Sequence, residues 1–341
     1  MSSIKDVADE AGVSTATVSH VINNTRFVSD AVRSRVTRAI ELFQYHPNAH
    51  ARSLASGKSK ILGLVISDIA NPFFPELVKA IEAAAYERGY DVVLSNTNYD
   101  AERTSHYVRR FIERQVAGVA LMTSELDQKL IDELARRKVS VVFLDAGTVG
   151  LHSSNLRVDY EEGIKQAMLH LVSLGHRRIA FIGGTPHLRS AQRRLEAFQA
   201  QIRQVFPNAP EKIYYGDFKI EGGKRAVLEM LAEKELPTAI ICANDLTALG
   251  AISELRDAGV SVPRDVSIIG FDDIAFASLI EPSLTTVSLP RLELGRRAVE
   301  ALMETLADPN REGVEIGIPT NLVIRKSTAP VRVESRKAGG Q

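Results

Sequence analysis

The sequence predicts a small all-α head followed by an α/β body of two tandem parallel-sheet subdomains. Two patterns carry this expectation. Over the first 45 residues, apolar side chains recur at helical spacing in three short segments. From about Lys60 onward, strand-like apolar runs alternate with amphipathic helices, once over residues 61–145 and again over 178–270.

The head begins with Ile4, Val7, Ala8 and Ala11 at i, i+3, i+4 and i+7, and Gly12 ends that helix. Ser14 is placed to cap a second helix with the apolar face Val18, Val21 and Ile22. Asn23-Asn24 closes it. Ser29 or Asp30 caps a third, striped by Val32, Val36, Ala39, Ile40 and Phe43, and Pro47 stops it. The first two helices and their tight turn have the spacing of a helix-turn-helix, whose second helix enters the major groove of DNA with its N-terminal residues at the base edges. Its exposed face would present Thr15, Ala16, Ser19, His20 and Asn23. All but Ala16 exchange hydrogen bonds. A plain helical cap is the alternative.

Charge points the same way. The chain carries 42 basic and 42 acidic side chains, yet residues 1–60 hold eight basic and five acidic ones. A head of +3 on a body of −3 fits a nucleic-acid partner.

A short segment follows, with Asn48 as cap, Ala49–Ser56 as helix and Gly57 as its end. At under three turns it is marginal alone and needs something to pack on. In the body, strands are expected at Ile61–Ser67, Asp91–Ser95, Ala117–Met122, Val139–Leu144, Arg178–Ile182, Lys212–Tyr215, Thr238–Cys242 and Val266–Gly270. Helices are expected between them, from Pro75–Arg88 to Leu246–Ala258. Several strands are apolar on both faces, as in buried parallel sheets. Ligands belong at the carboxyl ends of such strands, between the two subdomains.

Composition narrows the function classes. Hydrophobic content of 45% excludes a wholly disordered chain. No apolar run reaches the length of a membrane span. The start, MSSIKDVADEAGV, has no export pattern, and the single Cys makes neither a disulfide nor a Cys-rich metal site, so a cytoplasmic protein without cofactor or metal is expected. Cys242 falls in a strand-like run and reads as core. Gly183-Gly184 follows a strand but matches neither phosphate-loop pattern. His176 reads as a loop residue before a strand. No Ser–His–Asp set is legible.

The segment IKDVADEAGVSTATVSHVINNTRFVS resembles the DNA-binding head of the lactose-repressor (LacI/GalR) family of bacterial transcription regulators, and within it the purine and ribose repressor branch. The segment PNAHARSLASG matches the family's hinge. NPFF (71–74), FLD (143–145), GHRRIAFIGG (175–184), RRLEAF (193–198), GDF (216–218), ANDLTALGAI (243–252) and VPRDVSIIGFDDI (262–274) match in the family's order. The resemblance implies a helix-turn-helix head over 1–47 and a hinge helix over 48–59. It implies a body like the type I periplasmic binding proteins, with one subdomain of 60–161 plus 291–320, another of 162–290 plus 321–333, and a tail at 334–341.

It also implies roles. Thr15, Ala16 and His20 would read bases, with Thr17, Ser19, Asn23 and Arg26 beside them. Ala16 stands where the purine branch has a threonine, so it offers a methyl contact in place of a hydrogen bond. Leu54 would wedge into the minor groove at the operator's centre, beside Arg52 and Ala55; packing against the partner's hinge or the body is its alternative. Ala55 stands where this branch often carries a lysine. Effector contacts would come from Phe73, Phe74, Asp145, Gln192, Arg194, Phe218, Asn244 and Asp272.

Carboxylates and amides around a hydroxyl-rich ligand, with rings on its apolar faces, suit a sugar. Plainer readings exist: core aromatics for NPFF, helix caps for Asp145 and Asp272, a filler between lobes for Phe218. Asn244 is favoured as ligand contact and Asp245 as cap. Gln192 stands where sugar-responsive members usually have an arginine, and Ala146 where ribose binders place one. The effector therefore does not carry over from those branches.

The expected function is a ligand-responsive transcriptional regulator, a repressor, binding palindromic double-stranded operator DNA. Tetramers of the family carry a leucine-heptad tail, whereas RKSTAPVRVESRKAGGQ has neither Leu nor heptad, so the resemblance implies a homodimer; the lack of a long apolar run predicts no membrane partner. A purine-type corepressor is the alternative within the family. A solute-binding protein predicts an export signal and no helix-turn-helix. A cleft enzyme predicts a nucleophile, base or cofactor loop.

Overall fold

The computed structural model describes residues 2–45, 59–123, 126–145, 149–308 and 310–332. The chain divides into two units, Met1–Ser59 and Lys60–Gln341.

The first unit holds three helices, α1 (Ile4–Ala11), α2 (Thr15–Asn23) and α3 (Asp30–Phe43). Ser3 and Asp6 make a reciprocal capping box: Ser3 N–H donates to Asp6 at 2.7 Å and Asp6 N–H to Ser3 Oγ at 3.3 Å. Gly12 takes φ of +60° and donates its N–H to the last carbonyls of α1, which permits the tight turn. Ser14 Oγ then accepts from Thr17 N–H and starts α2. Val7, Val18 and Val36 are fully buried where the three helices meet, with Ala8, Ala11, Val21 and Ala39 around them.

The second unit contains two six-stranded sheets. Their strands are β1 (Ile61–Ile66), β2 (Asp91–Asn96), β3 (Gly118–Met122), β4 (Ser140–Leu144), β5 (Ser153–Val158), β6 (Ile179–Gly183), β7 (Lys212–Tyr215), β8 (Ala239–Cys242), β9 (Ser267–Asp272), β10 (Thr285–Ser288), β11 (Glu315–Ile318) and β12 (Asn321–Val323). The first sheet runs β11-β5-β4-β3-β1-β2 and the second β12-β10-β9-β8-β6-β7. All pairings are parallel except β10 with β12. The connecting helices are α4 (Phe73–Tyr86), α5 (Ala101–Glu113), α6 (Gln128–Arg136), α7 (Tyr160–Ser173), α8 (Arg189–Val205), α9 (Ile220–Leu231), α10 (Asp245–Asp257), α11 (Phe276–Leu279) and α12 (Arg291–Ala307). None of the described helices is long and apolar enough to cross a membrane.

The chain changes sheets after β5, after β10 and after β11. Every strand with a clear apolar run stands where the sequence puts it, within a residue or two. The pattern missed α6, α11, α12 and strands β5, β10, β11 and β12. β5 buries Ser154 and Asn155 beside Leu156 and Val158, so its apolar signal is too short to stand out. β10, β11 and β12 are only three or four residues long. One apolar cluster runs from the first sheet (Leu62, Leu64, Ile66) to the second (Phe181, Ile241, Phe271), and separate clusters cover each sheet's other face.

Glycine sets the closest helix approach. A Cβ on Gly223 of α9 would stand 2.1 Å from Thr247 O of α10, and one on Gly250 of α10 would stand 2.0 Å from Ile220 O. Both obstacles are backbone and cannot rotate away. Gly223→Ala is therefore expected to lower stability by about 2 kcal/mol and the melting temperature by several degrees. Thermal melting by circular dichroism measures it; an unchanged midpoint would mean the helices slide apart freely.

Candidate functional site

In the first unit, Thr15, Ala16, Asn23 and Arg26 are exposed, while Thr17, Ser19 and His20 are half-buried. Much of their bonding capacity is turned inward. Thr17 Oγ1 pairs with Ser14 Oγ at 3.0 Å, and Asn23 Nδ2 donates to Ser19 O at 3.0 Å and to Ser19 Oγ. His20 Nδ1 pairs with Thr25 Oγ1 at 2.8 Å, leaving Nε2 as the ring atom for an outside partner. Thr25 went unnoticed in the sequence because its role lies in contact with His20, not in any motif. Arg52, Leu54 and Ala55 lie outside the described residues, as do Ala146 and the tail.

In the second unit, the loops at the carboxyl ends of strands surround a cavity of about 70 Å³. Phe73 and Phe74 open α4 after β1, with rings edge to face at 5.1 Å between centroids. Asp145 follows β4, Phe218 follows β7, Asn244 follows β8, and Asp272 ends β9. Arg194 reaches in from α8. All seven line the cavity.

Gln192 does not. It is exposed, and its Nε2 donates to Pro186 O at 3.0 Å. Successive residues of a helix lie 100° apart, so with Ser190 and Arg194 on the cleft face of α8, Gln192 is turned away from it. Arg193 takes part instead: its Nη1 donates to Asp145 Oδ1 at 3.0 Å. Asp245 is not the cap either. Asn244 caps α10 by accepting from Thr247 N–H at 2.9 Å, and its Nδ2 donates to Phe218 O at 2.9 Å. Asp245 is buried beneath, accepting from Thr286 Oγ1 and Ile274 N–H. The cavity also recruits Tyr99 and Tyr160, which sequence reasoning missed. Tyr99 stacks on Phe218, with centroids 6.2 Å apart and planes 17° apart. Gly184 makes room for that phenylalanine, since a Cβ there would meet the ring at 2.4 Å.

Two ion pairs hold the cavity's carboxylates, one of them from an arginine outside its lining. One is Arg193–Asp145. In the other, Arg194 Nη2 reaches Asp272 Oδ1 at 3.4 Å. The Arg194 guanidinium carbon lies 4.6 Å from the ring centroids of Tyr160 and of Phe271 and 5.5 Å from that of Phe218. Its Nε has no hydrogen-bond partner among the described residues. Burial raises the Asp145 carboxyl above its ordinary range, opposed by the Tyr160 hydroxyl, the Val158 N–H and Arg193. Burial pushes Asp272 up to about 6 against the pull of Arg194 and Arg291, and drives the Tyr160 hydroxyl well up. Asp145, Phe218 and Asp272 hold φ of 56°, 63° and 107°. Left-handed geometry at three non-glycine residues lining one cavity concentrates backbone strain there. Two carboxylates, the Arg194 guanidinium and several rings line an amphipathic cavity whose chemistry suits a neutral ligand with hydroxyls or ring nitrogens.

Comparison with known proteins agrees with both parts. The model for bacterial regulatory proteins of the lacI family matches residues 3–48, and that for the periplasmic binding protein-like domain matches 168–328. The chain is 38% identical over 329 residues to the HTH-type transcriptional repressor PurR of Photobacterium profundum, covering 96% of this chain and 98% of the relative. Among solved structures it is similar to the lac repressor dimer bound to operator and the anti-inducer ONPF. That match has a TM-score of 0.85 and 30% identity, covering 96% of this chain and 99% of the other. A LacI family regulator from Enterococcus faecium with bound ribose matches at a TM-score of 0.73 and 30% identity, over 80% of this chain and all of the other.

Proposed function

This chain belongs to the LacI family of DNA-binding transcriptional regulators, and from that premise we propose that it represses transcription as a homodimer on a palindromic operator and responds to a neutral, hydroxyl-rich small molecule, a sugar, held in the cavity of its second unit. The observation that carries the effector reading is the cavity's lining. Asp145 and Asp272 accept from ligand hydroxyls, Arg194 donates to them, Arg193 holds Asp145 in place, and Phe73, Phe74 and Phe218 cover the apolar faces of a sugar ring. The cavity is lined by two carboxylates and one guanidinium, which disfavours a phosphorylated or carboxylated ligand. A ligand hydroxyl that takes up Asp145 or Asp272 would compete with the guanidiniums that now hold them, so binding would part the two ion pairs. That movement is what a ligand would couple to operator affinity. Coupling of about 1–3 kcal/mol changes operator affinity roughly 5–150-fold.

A planar base is the second reading. The near-parallel Tyr99 and Phe218 rings favour it, as does the similarity to purine repressors. No catalytic step is assigned to the cavity.

On DNA, α2 would enter the major groove with Thr15, Ala16 and His20 at base edges and Arg26 on the backbone, two heads reading half-sites about one helical turn apart. The test is fluorescence anisotropy of the full chain, at fixed salt, on an operator selected from a randomised duplex pool, titrated with sugars, nucleosides and purines. Release by a sugar supports the reading. Binding gained only with a purine replaces it with corepressor control, and failure to select any duplex overturns the regulator reading of this chain's operator. Thr25→Val, which frees the His20 ring, is expected to weaken that operator about five- to tenfold, the loss of one orienting hydrogen bond. An unchanged Kd would show that His20 needs no such support.

A further inference from the structure

We propose that Arg291 is a positioning residue that ties the Asp272-Asp273 loop of the second sheet to helix α4 beside the first sheet, so that what happens to Asp272 in the cavity is felt at Glu76. The proposal deepens the effector-site reading and rests on it. Arg291 opens α12 directly after Pro290, where the chain passes from β10 in the second sheet toward β11 in the first. Three of its donors are committed. Nη1 donates to Asp272 O, Nη2 to Asp273 O at 2.7 Å, and Nε to the Glu76 carboxylate at 2.7 Å. Its side chain is only 14% exposed.

The two carbonyls belong to consecutive non-glycine residues with φ of 107° and 57°. Such a pair persists only where its surroundings over-determine it. Three guanidiniums do so here. Arg194 from α8 meets the Asp272 carboxylate, and Arg325 meets the Asp273 carboxylate at 2.6 Å. Arg291 alone reaches the loop from α12, and α12 packs tightly on α4: a Cβ on Gly295 would stand 2.5 Å from that of Ala80. Glu76 lies one turn along α4 from Phe73, which lines the cavity. Both ends of the relay therefore touch the site. A guanidinium is planar and rigid, so displacing one acceptor tilts the fork and weakens its other bonds. A ligand that draws on the Asp272 carboxylate turns the peptide whose carbonyl Arg291 holds, and the fork passes that rotation to Glu76 and α4.

The test uses the full chain and no effector, so its failure is distinct from failure of the sugar reading. Amide hydrogen exchange over residues 77–86 is measured in wild type, Asp272→Asn, Arg291→Met and the double variant. With Arg291 present, Asp272→Asn is expected to change α4 exchange about threefold or more, and with Met at 291 by less than about 1.5-fold. Exchange in α10 serves as the control, because a general loss of stability would raise it too. Arg291→Lys keeps the charge without the fork and is expected to behave like Arg291→Met. No change in α4 when Arg291 is intact, an equal change in both backgrounds, or wild-type coupling through lysine each overturns the proposal.

Discussion

Arg194→Ala is expected to destabilise the protein by about 3–5 kcal/mol and to abolish its response to effector. The magnitude is that of removing one partner from a buried ion pair, because the charge left behind has lost its compensation. Both side chains are almost fully enclosed, at 8% exposure for Arg194 and 6% for Asp272. The substitution also removes a guanidinium packed among the rings of Tyr160, Phe218 and Phe271. Asp272 would respond by holding its proton to higher pH, so the loss should be smaller at pH 5 than at pH 7.5. Denaturant unfolding at both pH values measures this. Pairing Arg194→Met with Asp272→Asn separates structure from function. The double variant removes the stranded charge and restores apolar volume, so it should regain most of the stability while operator affinity stays indifferent to effector. A single alanine variant that melts within about 0.5 kcal/mol of wild type would mean that Asp272 is carried by Arg291 alone.

How far these residues could be read in advance depends on where their information lies. The head was legible because its signals are local: Ile4, Val7, Ala8 and Ala11 mark one face, Gly12 permits one turn, and Ser14 starts the next helix. Asp145 and Asp272 were singled out by the resemblance to the family, and both stand at the end of an apolar strand and line the cavity. Gln192 and Arg194 were not separable by motif, since only the register of α8 decides which residues face the cleft, and it gives Ser190 and Arg194. Asn244 and Asp245 posed the same difficulty. Either suits an N-cap, and the buried bonds of Asp245 to Thr286 and Ile274 come from segments 29 and 41 residues away. Tyr99, Tyr160 and Arg291 reach their places through tertiary contacts that no spacing announces. Strand β5 was hidden because the buried polar residues Ser154 and Asn155 break its apolar run, leaving only Leu156 and Val158; Ser154 Oγ accepts from Val314 N–H.

The Asp272 carboxyl should make folding stability fall as pH rises from about 4 to about 6.5. Its folded value is about 6 against an ordinary 3.8, so within that window the folded state keeps a proton that the unfolded state has released. The state that binds more protons is the one favoured by acid. The full effect is about 3 kcal/mol, at roughly 1.36 kcal/mol for each unit of difference. The charged groups that face Asp272 are Arg194 from α8, Arg291 at the start of α12 and Asp245 from α10. The two cations oppose the rise and burial outweighs them. Asp145 and Asp245 are raised by burial as well and add in the same direction. Burial lowers His170 and His176, which act in the opposite sense, adding stability as pH climbs toward their ordinary 6.5 and no more above it. The total curve is therefore a compromise, and the quantity to measure is the difference between wild type and Asp272→Asn at each pH. That difference should drop by about 3 kcal/mol between pH 4 and pH 7 if burial governs the group; a flat difference would show that Arg194 and Arg291 keep it ionised throughout. The same proton bears on the ligand. Ionised, Asp272 offers only acceptors to hydroxyls in the cavity; protonated, it becomes a donor and its pull on Arg194 weakens. A sugar that parts the ion pairs at neutral pH should thus lose affinity through pH 6, in the window where the protein itself gains stability. The charge that serves the ligand is one the fold bears at a loss.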